Sequence, residues 1–263
     1  MDDAKPKVLT LITDWNQQDY YLGMLKGRIV SACPFVNIVD ITHQIASFNN
    51  SHAAFVLRNS YLHFPVGSIH LVMVNSESGF NNRLLYFKKN EHHFLVPDNG
   101  LIGLLFKDFA ETVYAVDYTE VGSFASLSAV EKALTGICAN RPPKEWGVNA
   151  AEYETHTQIR ATIDESVISG SIIYIDSYQN AITNISKELF DRVGRDRRFD
   201  ILVQSNHNKV NSISNTYSDV EPGDLLALFN SAGLLEIAIC TGYAAQLLNL
   251  NVGSSVRIKF YET

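Results

Sequence analysis

The stretch "KVLTLIT" (residues 7–13) decides how this chain is read. It is apolar along nearly its whole length, with no alternating polar face. Such a run is expected of a strand buried on both sides, as in a parallel sheet. The segments that follow keep to that pattern. "QDYYLGMLKGRIVSAC" (18–33) carries Tyr21, Met24, Leu25 and Ile29 at helical spacing, and Pro34 closes it. "VNIVDIT" (36–42) is a second strand, "SHAAFVLRNSYLHF" (51–64) a second helix stopped by Pro65, and "SIHLVMV" (68–74) a third strand. The opening is therefore β-α-β-α-β, which implies right-handed crossovers and a parallel sheet. Beyond it, "LLYFKK", "HFLVPDNG" and "TVYAVD" read as shorter strands, and "LIGLLFKDF" and "AVEKALTGICAN" as helices.

The composition changes near residue 140. "NRPPKEWGVNAAEYETHTQ" has Pro142-Pro143, many polar residues and little periodicity, and reads as a linker. After it come "SGSIIYIDS", "NAITNIS", "RFDILVQ", "DLLALFN", "LLEIAIC" and "SSVRIKFY", strand-like runs with little helix between them. They suggest a small barrel or sandwich. The expected organisation is an α/β domain over residues 1–140 with a mainly parallel sheet, a linker over 141–168, and a smaller β domain over 169–263.

The bulk composition excludes several classes. The 263 residues are 46% apolar, and 21 Lys and Arg stand against 28 Asp and Glu, for a net charge of −7. An acidic chain without a basic cluster is poorly suited to nucleic acid, whose binding depends on neutralising phosphates. No apolar run is long enough to span a bilayer. The start, "MDDAKPKVLTLIT", lacks the apolar core of a signal peptide. Cys33, Cys138 and Cys240 are far apart, read as unpaired thiols, and suit a reducing cytoplasm. The eight histidines form no HExxH pattern, so no bound metal is expected.

Candidate functional residues gather where strands end, because loops beyond the carboxyl ends of strands hold ligands in open α/β sheets. Asp14 ends the first strand and Asp19 precedes the first helix. Asp14 is either a turn residue or a bidentate acceptor for a ribose diol, and Asp19 is also a candidate helix cap. No GxGxxG follows the strand, which argues against a dinucleotide site. In "YIDSYQNAITNI" (174–185), Asp176, Tyr178 and Asn180 offer a carboxylate, an aromatic face and a group able to pair with a base edge. A hairpin with a polar turn fits the same spacing. "NSAG" (230–233) is a hairpin connection or a ligand loop, and His43 and Asp98-Asn99 lie at strand ends. The loop "MVNSESGFNNR" (73–83) turns abruptly small and polar after the third strand.

Taken in order, seven segments resemble one family, the S-adenosylmethionine (SAM) hydroxide adenosyltransferases, which include the fluorinases and chlorinases. They are "LITDWNQQDYYLGMLKG", "VDITHQI", "AAFVLRNSYLHFPVGSIHLVMV", "VPDNGL", "YIDSYQNAITNI", "YSDVEPGDLLALFNSAGLLEIAI" and "AAQLLNLNVGSSVRI". The resemblance implies an N-terminal α/β domain, a C-terminal β-barrel and a homotrimer. In such trimers the ligand lies between one subunit's N-terminal domain and a neighbour's C-terminal domain. It also implies that Asp14 binds the ribose hydroxyls, with Phe48 near the ribose. Asp19 and Asp176 would take the methionine ammonium, and Ser231 its carboxylate. Tyr178 would stack, Asn180 would pair with adenine, and Tyr217 would lie near it. SAM enters as substrate or ligand, and no cofactor is implied.

The resemblance breaks at the chemistry. Hydrolytic members carry D-P-G-V-G followed by R-R at the 73–83 loop. Here Asn75 stands for the aspartate, Gly79 keeps the second glycine, and Asn82 and Arg83 stand for the arginines. The family's catalytic histidine falls near "LSAVEK" (127–132), where Ala129 appears. Ser78 matches a small residue that halogenases place near the halide. The residues left for chemistry on this reading are Arg83, Asn75, Ser78 and Asn82. The implied activity is slow conversion of SAM and water to adenosine and L-methionine, or else binding of SAM or adenosine without turnover.

Overall fold

A computed structural model describes residues 7–77 and 82–261. The chain divides into two compact units, residues 1–158 and 159–263.

The first unit contains β1 (Val8–Thr13), α1 (Tyr20–Ala32), β2 (Asn37–Thr42), α2 (Asn50–Ser60), β3 (Ile69–Met73), β4 (Arg83–Lys89), β5 (His92–Pro97), α3 (Leu101–Leu105), β6 (Tyr114–Asp117), α4 (Ser126–Cys138) and β7 (Val148–Asn149). One sheet runs β2-β1-β3-β5-β4-β6-β7. Leu9 and Leu11 of β1 pack with Leu25 of α1 and Leu134 of α4 on one face. Ile12 packs with Leu57 of α2 and Leu101 of α3 on the other. Helices thus cover both faces, which is why "KVLTLIT" has no polar side.

The expected mainly parallel sheet needs correction, because half of it is antiparallel. Strands β2, β1, β3 and β5 are parallel neighbours. The β5/β4, β4/β6 and β6/β7 pairings are antiparallel. The cause is local. Only Asn90 and Glu91 join β4 to β5, both with positive φ (48° and 61°), and so short a turn can only reverse the chain.

Residues 141–158 are not a bare linker. A 3₁₀ turn at Pro143–Glu145 presents Trp146 to the core, and Val148–Asn149 adds the last strand of the sheet. Trp146 lies so close to α4 that a Cβ at Gly136 would stand 2.3 Å from its ring.

The expectation of unpaired cysteines is overturned for two of the three. Cys33 and Cys138 form a disulfide, and only Cys240 is a free, buried thiol. Their 105-residue separation concealed a contact made by packing the ends of α1 and α4 together. The same two helices are bridged by Arg28, which donates to Glu131 (3.0 Å) and to Glu120 (2.7 and 3.2 Å). Near their starts, the Tyr21 and Phe124 rings lie 4.4 Å apart. The argument from free thiols to a cytoplasmic location falls with this pair.

Three histidines lie in and beside the sheet core. His70 Nδ1 pairs with Thr10 Oγ1 (2.8 Å) and its Nε2 with His92 Nδ1 (3.1 Å), while His93 Nδ1 pairs with Tyr86 Oη (2.9 Å). Burial, reinforced by the neighbouring imidazoles, pushes His70 down to about 3. Burial and the nearby charges of Lys88 and Lys7 push His93 down to about 4.

The second unit contains β8 (Thr162–Asp164), β9 (Val167–Ile175), β10 (Ala181–Ser186), α5 (Lys187–Gly194), β11 (Phe199–Val203), β12 (Lys209–Val210), β13 (Leu225–Phe229), β14 (Leu234–Ile239), α6 (Ala244–Leu247) and β15 (Ser255–Phe260). The antiparallel sheet runs β12-β11-β15-β9-β10-β14-β13, with β8 beside β9. Past β12, the Ser214 N–H reaches Ala227 O of β13 at 2.8 Å and nearly closes the sheet into a barrel. Its interior holds Ile168, Ile185, Ile201, Leu235, Ile237 and Val256. Among the described residues no helix is long and apolar enough to cross a membrane.

Candidate functional site

In the first unit the expected ligand residues emerge from the carboxyl ends of two neighbouring strands. Thr13 of β1 lies opposite Met73 of β3, so Asp14 and the 74–77 loop leave the sheet side by side. Asp14 Oδ2 accepts the backbone N–H of Phe48 (2.9 Å) and of Asn75 (3.3 Å). Both of those residues sit at positive φ, 62° and 51°, an unfavourable conformation for side-chain-bearing residues that the carboxylate helps to hold. Oδ1 accepts no hydrogen bond among the described residues, so half of the carboxylate faces outward. The Phe48 ring is 72% exposed. Asp19 occupies the cap position of α1 but makes no side-chain cap bond, and is exposed. The structure therefore brings Asp14, Phe48 and Asn75 into one cluster and leaves Asp19 open at the helix start.

The loop beyond β3 is held from below by Asn99. Its Nδ2 donates to the carbonyls of Val74 (3.0 Å) and Asn75 (3.1 Å), and its own carbonyl accepts from Asn50 Nδ2 (2.8 Å). Tyr118 donates its hydroxyl to Ser76 O at 2.9 Å. Burial first, then the charges of Glu77 and Asp98, raise the Tyr118 phenol and keep it a donor. Ser76 Oγ and Asn99 Oδ1 are buried without a hydrogen-bond partner among the described residues. Groups of that kind normally find water or ligand.

At the far end of the loop, Asn82 is exposed, has φ 39°, and accepts the Tyr118 N–H on its carbonyl (3.0 Å). Arg83 turns inward. Its Nε donates to Asp98 Oδ2 and its Nη2 to the Glu152 carbonyl, both at 2.7 Å. Ser78 and Gly79 lie outside the described residues. Ala129 is fully buried on the core side of α4 and brings no polar group to the site.

The sequence reading passed over Glu77. Its carboxylate accepts a short hydrogen bond from the hydroxyl of Ser126, in the first turn of α4. An acid within two residues of Asn75 was the available signal.

In the second unit, Asp176 organises the turn between β9 and β10. Its Oδ1 accepts the backbone N–H groups of Tyr178 (2.9 Å) and Asn180 (2.8 Å), and its Oδ2 accepts Asn180 Nδ2 (3.2 Å). Both readings of this segment hold, since the hairpin exists and its polar residues form one constellation. The Tyr178 ring is 73% exposed, while Asn180 is buried. Tyr217 donates its hydroxyl to Glu236 Oε1 at 2.7 Å. Its phenol is raised by partial burial, by Glu236, and by the nearby charge of Asp176. Glu236 Oε2 accepts Asn230 Nδ2 (3.1 Å), and Asn230 Oδ1 caps the turn through the N–H groups of Ala232 and Leu234. This carboxylate, missed in the sequence although it interrupts the apolar run "LLEIAIC", couples Tyr217 to the exposed turn carrying Ser231.

Among the described residues, no group of three or more His, Cys, Asp and Glu side chains could hold a metal ion. Two surface grooves, one beside Glu131 and Arg141 and one beside Val66 and Lys88, contain none of the expected site residues.

Comparison with known proteins gives a consistent result. Residues 9–134 match the SAM hydroxide adenosyltransferase N-terminal domain, and residues 170–257 the C-terminal domain of the same name. An (R)-S-adenosyl-L-methionine hydrolase of Methanocaldococcus jannaschii is 27% identical, with 98% of both chains covered. One of the same name from Thermus thermophilus is 23% identical, covering 94% of this chain and 97% of that one. A fluorinase of Actinopolyspora mzabensis is 23% identical over 98% of both. Among solved structures, an uncharacterized conserved protein from Thermotoga maritima superposes with a TM-score of 0.83 at 26% identity, covering 96% of this chain and 99% of the other.

Proposed function

Because the chain belongs to the SAM hydroxide adenosyltransferase family, we propose that it transfers the 5′-deoxyadenosyl group of SAM to water, giving adenosine and L-methionine. One observation carries this reading. Each family domain contains one share of the ligand residues: Asp14, Asp19 and Phe48 in the first, Asp176, Tyr178, Asn180, Tyr217 and Ser231 in the second.

The chemistry of SAM matches that set. The outward oxygen of Asp14 accepts from the ribose diol, beside the Phe48 ring. Asp19 and Asp176 meet the ammonium, and Ser231 donates to the carboxylate. Tyr178 and Tyr217 supply aromatic faces, and Asn180 pairs with the adenine edge. The reaction is an in-line displacement at C5′. The water oxygen bonds to C5′, the C5′–S bond breaks, and its electron pair neutralises the sulfonium as methionine leaves. A cationic leaving group needs no metal or cofactor, so alignment of water and substrate supplies much of the acceleration.

Asn75 and Asn82 orient the water without accepting its proton, and Arg83 fixes the end of their loop. With neutral residues at those positions and Ala129 on α4, turnover is expected to be roughly 10²-fold slower than with a charged set. The reading includes a homotrimer whose sites combine first-unit and second-unit residues of neighbouring chains, in a heterologous contact that closes into a ring. Light scattering tests it, and a monomer with SAM bound overturns it.

The activity test is incubation with SAM in ¹⁸O-labelled water, followed by chromatography and mass spectrometry. Equal amounts of methionine and 5′-labelled adenosine are expected. Tight SAM binding with neither product released overturns the hydrolytic reading.

A further inference from the structure

We infer that Glu77 is the general base of this site, taking the proton of the attacking water in a chain whose loop and α4 carry no other basic group at the expected positions. The inference rests on the hydrolytic reading above and names the group that reading leaves open.

Position comes first. Glu77 lies two residues beyond Asn75, whose N–H is held by the same Asp14 oxygen that organises the ribose end of the site. Strands β1 and β3 are direct neighbours, roughly 4.8 Å apart, so the carboxylate that meets the diol and the loop carrying Glu77 open on the same edge of the sheet.

The second point is orientation. The Ser126 hydroxyl donates to Glu77 Oε1 from the first turn of α4, a helix of 13 residues. The carboxylate therefore rests against the positive end of that helix, which favours its charged form. Glu77 is exposed, and Oε2 accepts no hydrogen bond among the described residues, leaving one lone-pair face for water. Ser76, directly before it, is held through its carbonyl by Tyr118, so the backbone that carries Glu77 is fixed. The buried, unpartnered Ser76 Oγ and Asn99 Oδ1 flank the same loop and offer further sites for ordered water.

The step balances simply. Water loses a proton to Glu77 Oε2 as its oxygen bonds to C5′ and the sulfur takes the C5′–S electron pair. Glu77 then releases the proton to solvent. A carboxylate is a weak base, but it needs to accept charge only as the C–O bond forms.

The test compares wild type, Glu77→Gln, Glu77→Asp and Ser126→Ala for SAM turnover between pH 4 and 9, with SAM affinity measured by calorimetry. Glu77→Gln keeps an acceptor for Ser126 but cannot take a proton. Its kcat is expected to fall about 10²-fold, with SAM affinity within a factor of three. The acid limb of the wild-type pH profile should vanish in this variant. Glu77→Asp should retain that limb at lower rate. Ser126→Ala should lower kcat several-fold and keep the limb, which marks the serine as a positioning residue. Wild type that turns over while Glu77→Gln keeps its kcat and its acid limb overturns the role of Glu77 alone. Wild type that binds SAM without turnover overturns the hydrolytic reading and this role with it.

Discussion

Arg83 Nε donates to Asp98 Oδ2 at 2.7 Å, and the Asp98 side chain is 1% exposed. Asp98 Oδ1 in turn accepts the Glu154 N–H at 2.8 Å, while Arg83 reaches the Glu152 carbonyl. One ion pair thus pins residues 152–154 to the starts of β4 and the loop after β5. Arg83→Ala removes the cation from a buried carboxylate, a change that costs about 3–5 kcal/mol. Urea denaturation should show that loss, and Arg83→Lys should recover only part of it, since lysine cannot reproduce the fork of donors. An unchanged midpoint in the alanine variant would assign the arginine to the ligand instead of the framework.

Asp176→Asn separates charge from shape in the second unit. The amide oxygen can still accept the N–H groups of Tyr178 and Asn180, so the turn should persist. The charge that meets an ammonium is lost. Calorimetry should show SAM binding weakened about 10- to 100-fold, a loss of ~1.4–2.8 kcal/mol. Adenosine, which has no ammonium, should bind within a few-fold of wild type. Equal losses for both ligands would remove Asp176 from ammonium recognition.

The pH dependence of stability follows from His70 and His93. Each is held neutral when folded, with its ionisation pushed from about 6.5 down to about 3 and about 4. Between those values the unfolded chain binds protons that the folded chain refuses. Stability is therefore fully present above about pH 6.5 and declines as pH falls toward 4. Each histidine adds a slope of up to about 1.4 kcal/mol per pH unit. Denaturant titrations between pH 5 and 6.5, above most carboxylate ionisations, should resolve it. A flat profile there would show that both imidazoles gain protons without unfolding.

The disulfide predicts one reactive thiol, not three, when the protein is denatured without reductant. Cys33→Ser should lower stability by about 2–4 kcal/mol, because the bond closes a 105-residue separation. Thermal melts with and without dithiothreitol check it. Three thiols before reduction would mean that the bond does not form in solution.

The opening β-α-β-α-β was legible because each element carries its own signal: apolar runs for strands, helical spacing for α1 and α2, and prolines at the stops. Strand direction after β3 was not, since the Asn90–Glu91 turn lacks the glycine that usually announces a tight hairpin. Helix α5 escaped notice because it is short and largely polar. It starts on Ser186, whose hydroxyl accepts the Leu189 N–H, and ends on Arg195 at φ 48° where glycine is usual. The disulfide was invisible for a different reason, since pairing of distant cysteines is fixed by tertiary packing alone. In the site, residues at strand ends could be found by pattern. Glu77 and Glu236 could not, because their roles depend on Ser126 and Tyr217, 49 and 19 positions away.

The Cys33–Cys138 bond joins α1 and α4 at their carboxyl ends, while Asp19 and Ser126 stand at the opposite ends, roughly 20 Å away for helices of 13 residues. The pair is built like tongs with a welded base. Neither prong can slide along the other, so the tips can change separation only by pivoting, and the Tyr21–Phe124 ring contact is what parts when they do. Reduction would leave every ligand residue in place and restore the sliding freedom. The redox state of one bond far from the substrate would then set how firmly Asp19 and Glu77 keep their spacing.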